Sequence, residues 1–257
     1  MKNLAVAKAA MVEVEAAQIS ITGRVRAVNQ DYLGRVEPED EAGARSHGWL
    51  YVLADGVGGA EDGEVAARAA VEQVCAGFRA AAPGEAPGKL LRRLVQAANL
   101  HVHQLARSYR AGGSSMATTI VACLVREGRA HIAHAGDSRA YHLREGRARV
   151  LTRDHTRGMA RLWPWRRDGA NRSSVLVRAL GADLILAVDT RTLAVRPGDW
   201  VVLSSDGLHT SVNGPDFAAA WRAPGADLDL VARRLVKLAD ERDGRDNISV
   251  VLIRIRA

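Results

Sequence analysis

The chain has 257 residues, 47% hydrophobic and only 4% aromatic, so it can build one substantial core, made mostly of Ala, Val and Leu. Its net charge of +7 comes from arginines scattered along the chain, with no basic block, zinc-finger pattern or aromatic RNA-binding motif, and nucleic acid is not expected as a partner. No apolar run approaches the roughly 20 residues that cross a bilayer, and Cys75 and Cys123 lie in apolar segments without a CxxC pattern, which argues against membrane insertion and a disulfide framework.

The first ten residues look faintly like a leader, but Lys8 interrupts them and Glu13 and Glu15 follow. A cytoplasmic protein with buried free thiols is the expectation. Residues 12–33 alternate enough for one or two strands. Trp49 to Ala54 reads as a buried strand ended by the Asp55-Gly56 turn. Glu64 to Ala82 is alanine-rich with helical spacing and is broken by the Pro/Gly stretch 83–88. Lys89 to Arg110 is a second amphipathic helix with Leu90, Leu91, Leu94, Ala98 and Leu105 on or near one face.

After a loop at 111–115, strands are predicted over Thr118–Val125, Arg129–Ala135, Arg139–Leu143 and Ala148–Leu151, the last two joined by a Glu145-Gly146 turn. Residues 154–182 lack periodicity and read as a long loop or small excursion. Strands resume at Leu184–Val195 and Trp200–Ser204, helices at Pro215–Trp221 and Leu228–Glu241, and a final strand covers Asn247–Arg256. Strands in runs and helices in pairs predict an α+β fold: a four-layer α-β-β-α sandwich of two mostly antiparallel sheets flanked by helix pairs. No repeat or linker is visible, so residues 1–257 are read as a single domain.

Five aspartates stand at strand ends or turns: Asp31, Asp55, Asp137, Asp206 and Asp246. Carboxylates gathered on one rim of a sheet repel one another unless a cation sits among them, which points to an oxygen-lined divalent metal site able to hydrolyse phosphate esters. Zinc is disfavoured. His101 and His103 are two apart on a helix, and His131 and His134 three apart on a strand, so neither pair converges.

The segments Asn29-Gln-Asp31, Asp55-Gly-Val-Gly-Gly59, Ser115-Met-Ala-Thr-Thr119, Gly136-Asp-Ser-Arg139, Leu151-Thr-Arg-Asp-His155, Ser205-Asp-Gly-Leu208 and Asp246-Asn247 occur in this order. Together they resemble the metal-dependent PP2C-type (PPM) serine/threonine phosphatases in their short bacterial form, over nearly the whole chain, from about Arg24 to Ile253. The resemblance implies a β-sandwich flanked by helices with two Mn²⁺ or Mg²⁺ ions in a cleft, and a third held more weakly. It implies that Asp55 bridges both ions and that Gly56 offers its carbonyl to one. Asp206 and Asp246 would bind the same ion as the bridging group. Asp31 would orient metal-bound water, and Asp137 would help hold the third ion with Asp206. Arg26 would grip the substrate phosphate. The implied reaction is direct attack of a dinuclear-metal-bound hydroxide on phosphoserine or phosphothreonine, with no covalent phospho-enzyme. His155 is expected to give structural support, and His209 fits either a surface or a supporting role.

Departures from the family pattern are Val57 where some relatives carry a histidine, Gln30 where they carry a glutamate, and Ala117 in place of a glycine. A short flap-like segment at about 156–180 contains Trp163, Trp165 and the arginines Arg161, Arg166 and Arg167, which are expected to attract acidic phosphopeptides. The resemblance implies phosphorylated proteins as partners, including the targets of a bacterial Ser/Thr kinase and the kinase itself, and a monomeric enzyme. Two rival readings stand beside it: a catalytically silent regulatory module on the same fold, and a phosphohydrolase acting on nucleotides or other small molecules.

Overall fold

The computed structural model describes residues 12–57, 62–109, 116–158, 174–222 and 227–257. In chain order the elements are β1 (Glu13–Ile21), β2 (Asp31–Val36), α1 (Glu41–Ser46), β3 (Trp49–Asp55), α2 (Gly63–Arg79), α3 (Pro87–Tyr109), β4 (Ile120–Arg126), β5 (Arg129–Ala135), β6 (Arg139–Arg144), β7 (Arg147–Val150), β8 (Thr156–Gly158), β9 (Ser174–Leu176), β10 (Asp189–Ala194), β11 (Trp200–Ser204), α4 (Asp206–His209), α5 (Gly214–Trp221), α6 (Leu228–Arg242) and β12 (Ile248–Arg256). None of the described helices is long and apolar enough to cross a membrane.

Two five-stranded sheets form the centre, ordered β1-β12-β11-β6-β7 and β10-β5-β4-β3-β2, with antiparallel pairing throughout. Every residue of β4 and β11 is buried, as expected of strands covered on both faces. Tyr51, Leu53, Val121, Cys123 and Ile132 from one sheet meet Val201, Leu203, Val251 and Ile253 from the other in the layer between them. On one outer face, the stripes Ala66, Ala70, Val74 and Phe78 of α2 and Leu91, Leu94, Ala98 and Val102 of α3 pack on the β2-containing sheet. Gly34 allows the close approach of α2, since a Cβ there would lie 2.3 Å from the Val71 Cγ1. On the opposite face, Phe217 of α5 and Val231, Leu235 and Val236 of α6 cover Tyr141, Val202 and Leu252. The expected α-β-β-α layering is therefore present.

The one or two strands expected over 12–33 are β1 and the start of β2, and two other local expectations are corrected. Residues 22–30 form no strand but an irregular arc between β1 and β2, because their backbone groups bond to the turn before β12 rather than to a ladder. The predicted strand at 184–195 begins only at Asp189. Leu184 and Ile185 are exposed, and the Asn99 side chain takes the carbonyls of Asp183 and Leu184. The segment 154–182, read as irregular, contains the two-stranded β8–β9 ribbon. Helix α1 was not anticipated; its signal was Asp40, whose side chain accepts from the Gly43 N–H at 2.7 Å as an N-cap. Arg161, Trp163, Trp165, Arg166, Arg167, Gly58, Gly59 and Ser115 lie outside the described residues.

Candidate metal centre

The two sheets deliver all five predicted aspartates to one end of the sandwich. Asp31 opens β2 and Asp55 ends β3, and the two are direct cross-strand partners. Asp137 lies in the β5–β6 turn, Asp206 begins α4 immediately after β11, and Asp246 stands two residues before β12. Each carboxylate is thus fixed by a strand end that the core holds rigid. The arc 22–30 carries Arg26 to the same rim, where its Nη2 donates to the Asp246 Oδ2 at 2.7 Å.

Small polar residues beside each aspartate lock the backbone. The Asp55 carbonyl accepts from the Thr119 N–H at 2.8 Å and the Thr118 hydroxyl at 2.9 Å. The Thr119 hydroxyl also lies 2.6 Å from that of Ser138, joining β4 to the Gly136-Asp-Ser turn. Gly136 has φ +116° and would place a Cβ 2.6 Å from Thr119. Arg139 grips Asp154 in bidentate fashion at 2.9 and 2.6 Å. The Asn247 side chain accepts from the Gln30 N–H and donates to the carbonyls of Thr22 and Val28, pinning both ends of the Arg26 arc.

One hydrogen-bonded chain ends on Asp31. Asn29 Nδ2 donates to Ser20 Oγ, the hydroxyls of Ser20 and Ser249 are 2.7 Å apart, and Ser249 donates to Asp31 Oδ2 at 2.6 Å. The single Ser249 hydroxyl proton lies within reach of two acceptors, Ser20 Oγ and Asp31 Oδ2, and an ionised Asp31 is the stronger of the two. Sequence reasoning assigned no role to Ser20, Ser249, Thr118, Thr119 or Asn247. Thr118, Thr119 and Asn247 stand inside the quoted motifs, whereas Ser20 and Ser249 lie in strands with no motif to mark them.

Electrostatics mark the rim as a cation site. Asp31 is 6% exposed and its Oδ1 is buried without a hydrogen-bond partner. Burial, with the charge of Asp246 adding to it, pushes its carboxyl up to about 6. Burial and then Asp246, Asp137 and Asp31 push Asp206 up to about 7. Asp55 is driven well above the carboxylate range by burial and by the other four aspartates, and Asp137 is raised by burial. Carboxylates this strained are relieved by a divalent cation, and an orphaned buried oxygen gives it, or its water, somewhere to bond. The donor set is hard oxygen throughout, suited to Mg²⁺ or Mn²⁺. The Val57 N–H bonds to the Ala117 carbonyl at 3.0 Å, which fixes the Gly56–Val57 peptide whose carbonyl is the predicted ligand.

Histidine contributes elsewhere. His134, His155 and Asp189 place possible ligand atoms within 4.8 Å of one another. The His155 Nδ1 is taken by the Gly136 N–H at 3.2 Å, however, and the His134 Nε2 by the Arg153 carbonyl at 3.1 Å. The Arg178 guanidinium bonds Asp189 at 2.8 Å and sits where a cation would. His155 therefore braces the turn that carries Asp137, as a supporting residue. His209 is half-buried with its Nδ1 3.1 Å from the Ser204 hydroxyl, and burial lowers its imidazole to about 3.

The family model of protein phosphatase 2C matches residues 24–233. The serine/threonine phosphatase stp of Listeria monocytogenes is 30% identical over 239 residues, covering 90% of this chain and 92% of that protein. The solved structure of PppA from Pseudomonas aeruginosa superposes with a TM-score of 0.75 at 29% identity, over 94% of this chain and 97% of that one. The catalytic domain of the serine/threonine phosphatase PstP, solved in complex with two manganese ions, superposes with a TM-score of 0.77 at 30% identity, over 96% and 100% of the two chains. The chain belongs to the protein phosphatase 2C family, the metal-dependent (PPM) serine/threonine phosphatases.

Proposed function

We propose that this chain hydrolyses phosphoserine and phosphothreonine in proteins by direct displacement at phosphorus, using two Mn²⁺ or Mg²⁺ ions. The observation that carries this reading is the meeting of five aspartates on one rim, with a buried Asp31 oxygen left without a partner. Asp55, Asp206, Asp246 and the Gly56 carbonyl would hold the two ions, and Asp137 with Asp206 a third. When bound, the ions supply Lewis-acid charge to the phosphoryl group and activate water near neutral pH.

The chain's own residues do the rest. Asp31, raised by burial and held by Ser249, orients the attacking water and can accept its proton. Arg26, exposed at the rim, presents a planar fork to the phosphate oxygens and offsets the charge that develops on them. Val57 offers no proton at the position where some relatives have histidine, so water or another group must protonate the leaving serine or threonine oxygen. Cys75 and Cys123 are both buried, so neither offers a thiolate for a covalent phospho-enzyme.

We further propose that residues 1–257 act as one catalytic domain and that its substrates are made by a serine/threonine kinase. Turnover of phosphothreonine peptides compared with nucleoside phosphates tests the substrate class. The reading requires the peptides to be preferred; equal or better turnover of nucleotides contradicts it.

A further inference from the structure

Arg24 is not among the family motifs, yet its interactions single it out. It lies two residues before Arg26 and reaches across to the end of α6. Its Nη2 donates to the carbonyls of Asp240, Glu241 and Asp243, and its Nε lies 3.5 Å from the Asp240 carboxylate. Its own N–H donates to the Gly244 carbonyl at 2.8 Å. A helix leaves its last carbonyls without partners and its C-terminus carries partial negative charge, so a guanidinium is well matched to that place.

The turn gripped by Arg24 is the one that presents Asp246. Gly23, at φ +77°, lies so close to it that a Cβ would stand 2.2 Å from the Asp246 carbonyl oxygen. On the other side of the arc, Asn247 holds Val28 and Gln30. Arg26 is therefore suspended between two clips fastened to the same turn, and its 2.7 Å approach to Asp246 depends on both.

We infer that Arg24 is a positioning residue for Arg26: by clamping the arc to the α6 C-terminus it sets where the phosphate-gripping guanidinium stands relative to the carboxylates. This rests on the proposed role of Arg26. The exposed Arg24 has no need to touch substrate, and the effect is on binding geometry rather than on proton transfer.

A double-mutant cycle tests it, with inorganic phosphate affinity measured by calorimetry in Mn²⁺ and KM and kcat measured on p-nitrophenyl phosphate. Arg24→Ala is expected to weaken phosphate and raise KM about tenfold with kcat changed far less, as loss of an oriented arginine contact does. Arg24→Lys, which can still reach a carbonyl, should fall between wild type and Arg24→Ala and keeps the test open if the alanine variant folds poorly. In an Arg26→Ala background, Arg24→Ala should cost nothing further. Unchanged phosphate affinity in Arg24→Ala despite a lower Tm, or losses that simply add in the double variant, would reduce Arg24 to a helix cap and overturn the inference. If Arg26→Ala alone leaves phosphate affinity intact, it is the reading of Arg26 that fails.

Discussion

Asp31 and Asp55 face each other across the β2–β3 ladder as direct cross-strand partners, two carboxylates held together by the backbone pairing of the sheet. Like charges in that relationship destabilise a sheet. The rest of the fold supplies the compensation, and the strain it leaves is a property that can be measured.

The first prediction concerns pH. Asp31 and Asp206 titrate near 6 and 7 in the folded, metal-free chain, above the ordinary carboxylate value of 3.8. A folded pKa above the unfolded one means that the folded state binds more protons in between, so stability falls as pH rises from about 4 to about 7. Chelator-treated protein should lose several degrees of Tm across that interval. Added Mn²⁺ should restore far more at pH 8 than at pH 5, where protons compete for the same oxygens. A metal-free Tm that rises steadily from pH 4 to 7 contradicts the assignment.

Asp31→Asn should separate stability from function. The amide keeps the Ser249 contact and removes one buried charge, so metal-free protein should be stabilised, by about 1 kcal/mol or more. Phosphatase activity should fall roughly 100-fold or further, as for loss of a general base. Thermal melts and turnover on one preparation check both halves; a variant that is destabilised and fully active refutes the role.

Gly56 tolerates no side chain. A Cβ would lie 2.6 Å from the Gly63 carbonyl carbon and oxygen and 2.9 Å from the Gln30 Cβ. Gly56→Ala must move the peptide that follows Asp55, at a cost of about 1–3 kcal/mol from overpacking. Mn²⁺ affinity should drop with it, which titration calorimetry can read; wild-type affinity would show that this carbonyl is not a ligand.

Asn247 is the clip on the far side of the arc. Asn247→Ala leaves the Gln30 N–H and the Thr22 and Val28 carbonyls without their partner. The loss should be about 2–4 kcal/mol in denaturant unfolding, and Asn247→Asp should recover only the bond from Gln30. A loss below 0.5 kcal/mol, roughly that of a neutral surface change, would mean that water serves these groups equally well.

The layers and the five aspartates gathered on one rim were legible in the chain because apolar runs end on aspartates: β3 and β11 can be read from composition, and so can the residues at their tips. The layer order followed from runs of strands set against pairs of helices. What could not be read depends on contacts between distant segments. The arc at 22–30 alternates like a strand, but it is held by Asn247 and, through Arg24, by the turn after α6, more than 200 positions away in the chain. Leu184 and Ile185 are apolar enough for a strand, yet Asn99 of α3 takes the carbonyls there. Helix α1 is six residues long and owes its start to a cap, a signal that Asp40 shares with many turns. Ser249, which completes the chain to Asp31, sits inside an apolar strand where a hydroxyl carries no pattern of its own.

The central claim is that these aspartates hold divalent cations for phosphoprotein hydrolysis. Its most direct test is phosphate release from a phosphothreonine peptide with Mn²⁺ and after chelation, in wild type, Asp55→Ala and Asp206→Ala. The account predicts turnover only in the wild type with Mn²⁺ and losses of about 1,000-fold or more in both variants, as expected when a metal ligand is removed from a dinuclear site. Phosphate release that survives chelation, or that persists in folded Asp55→Ala protein, would contradict it.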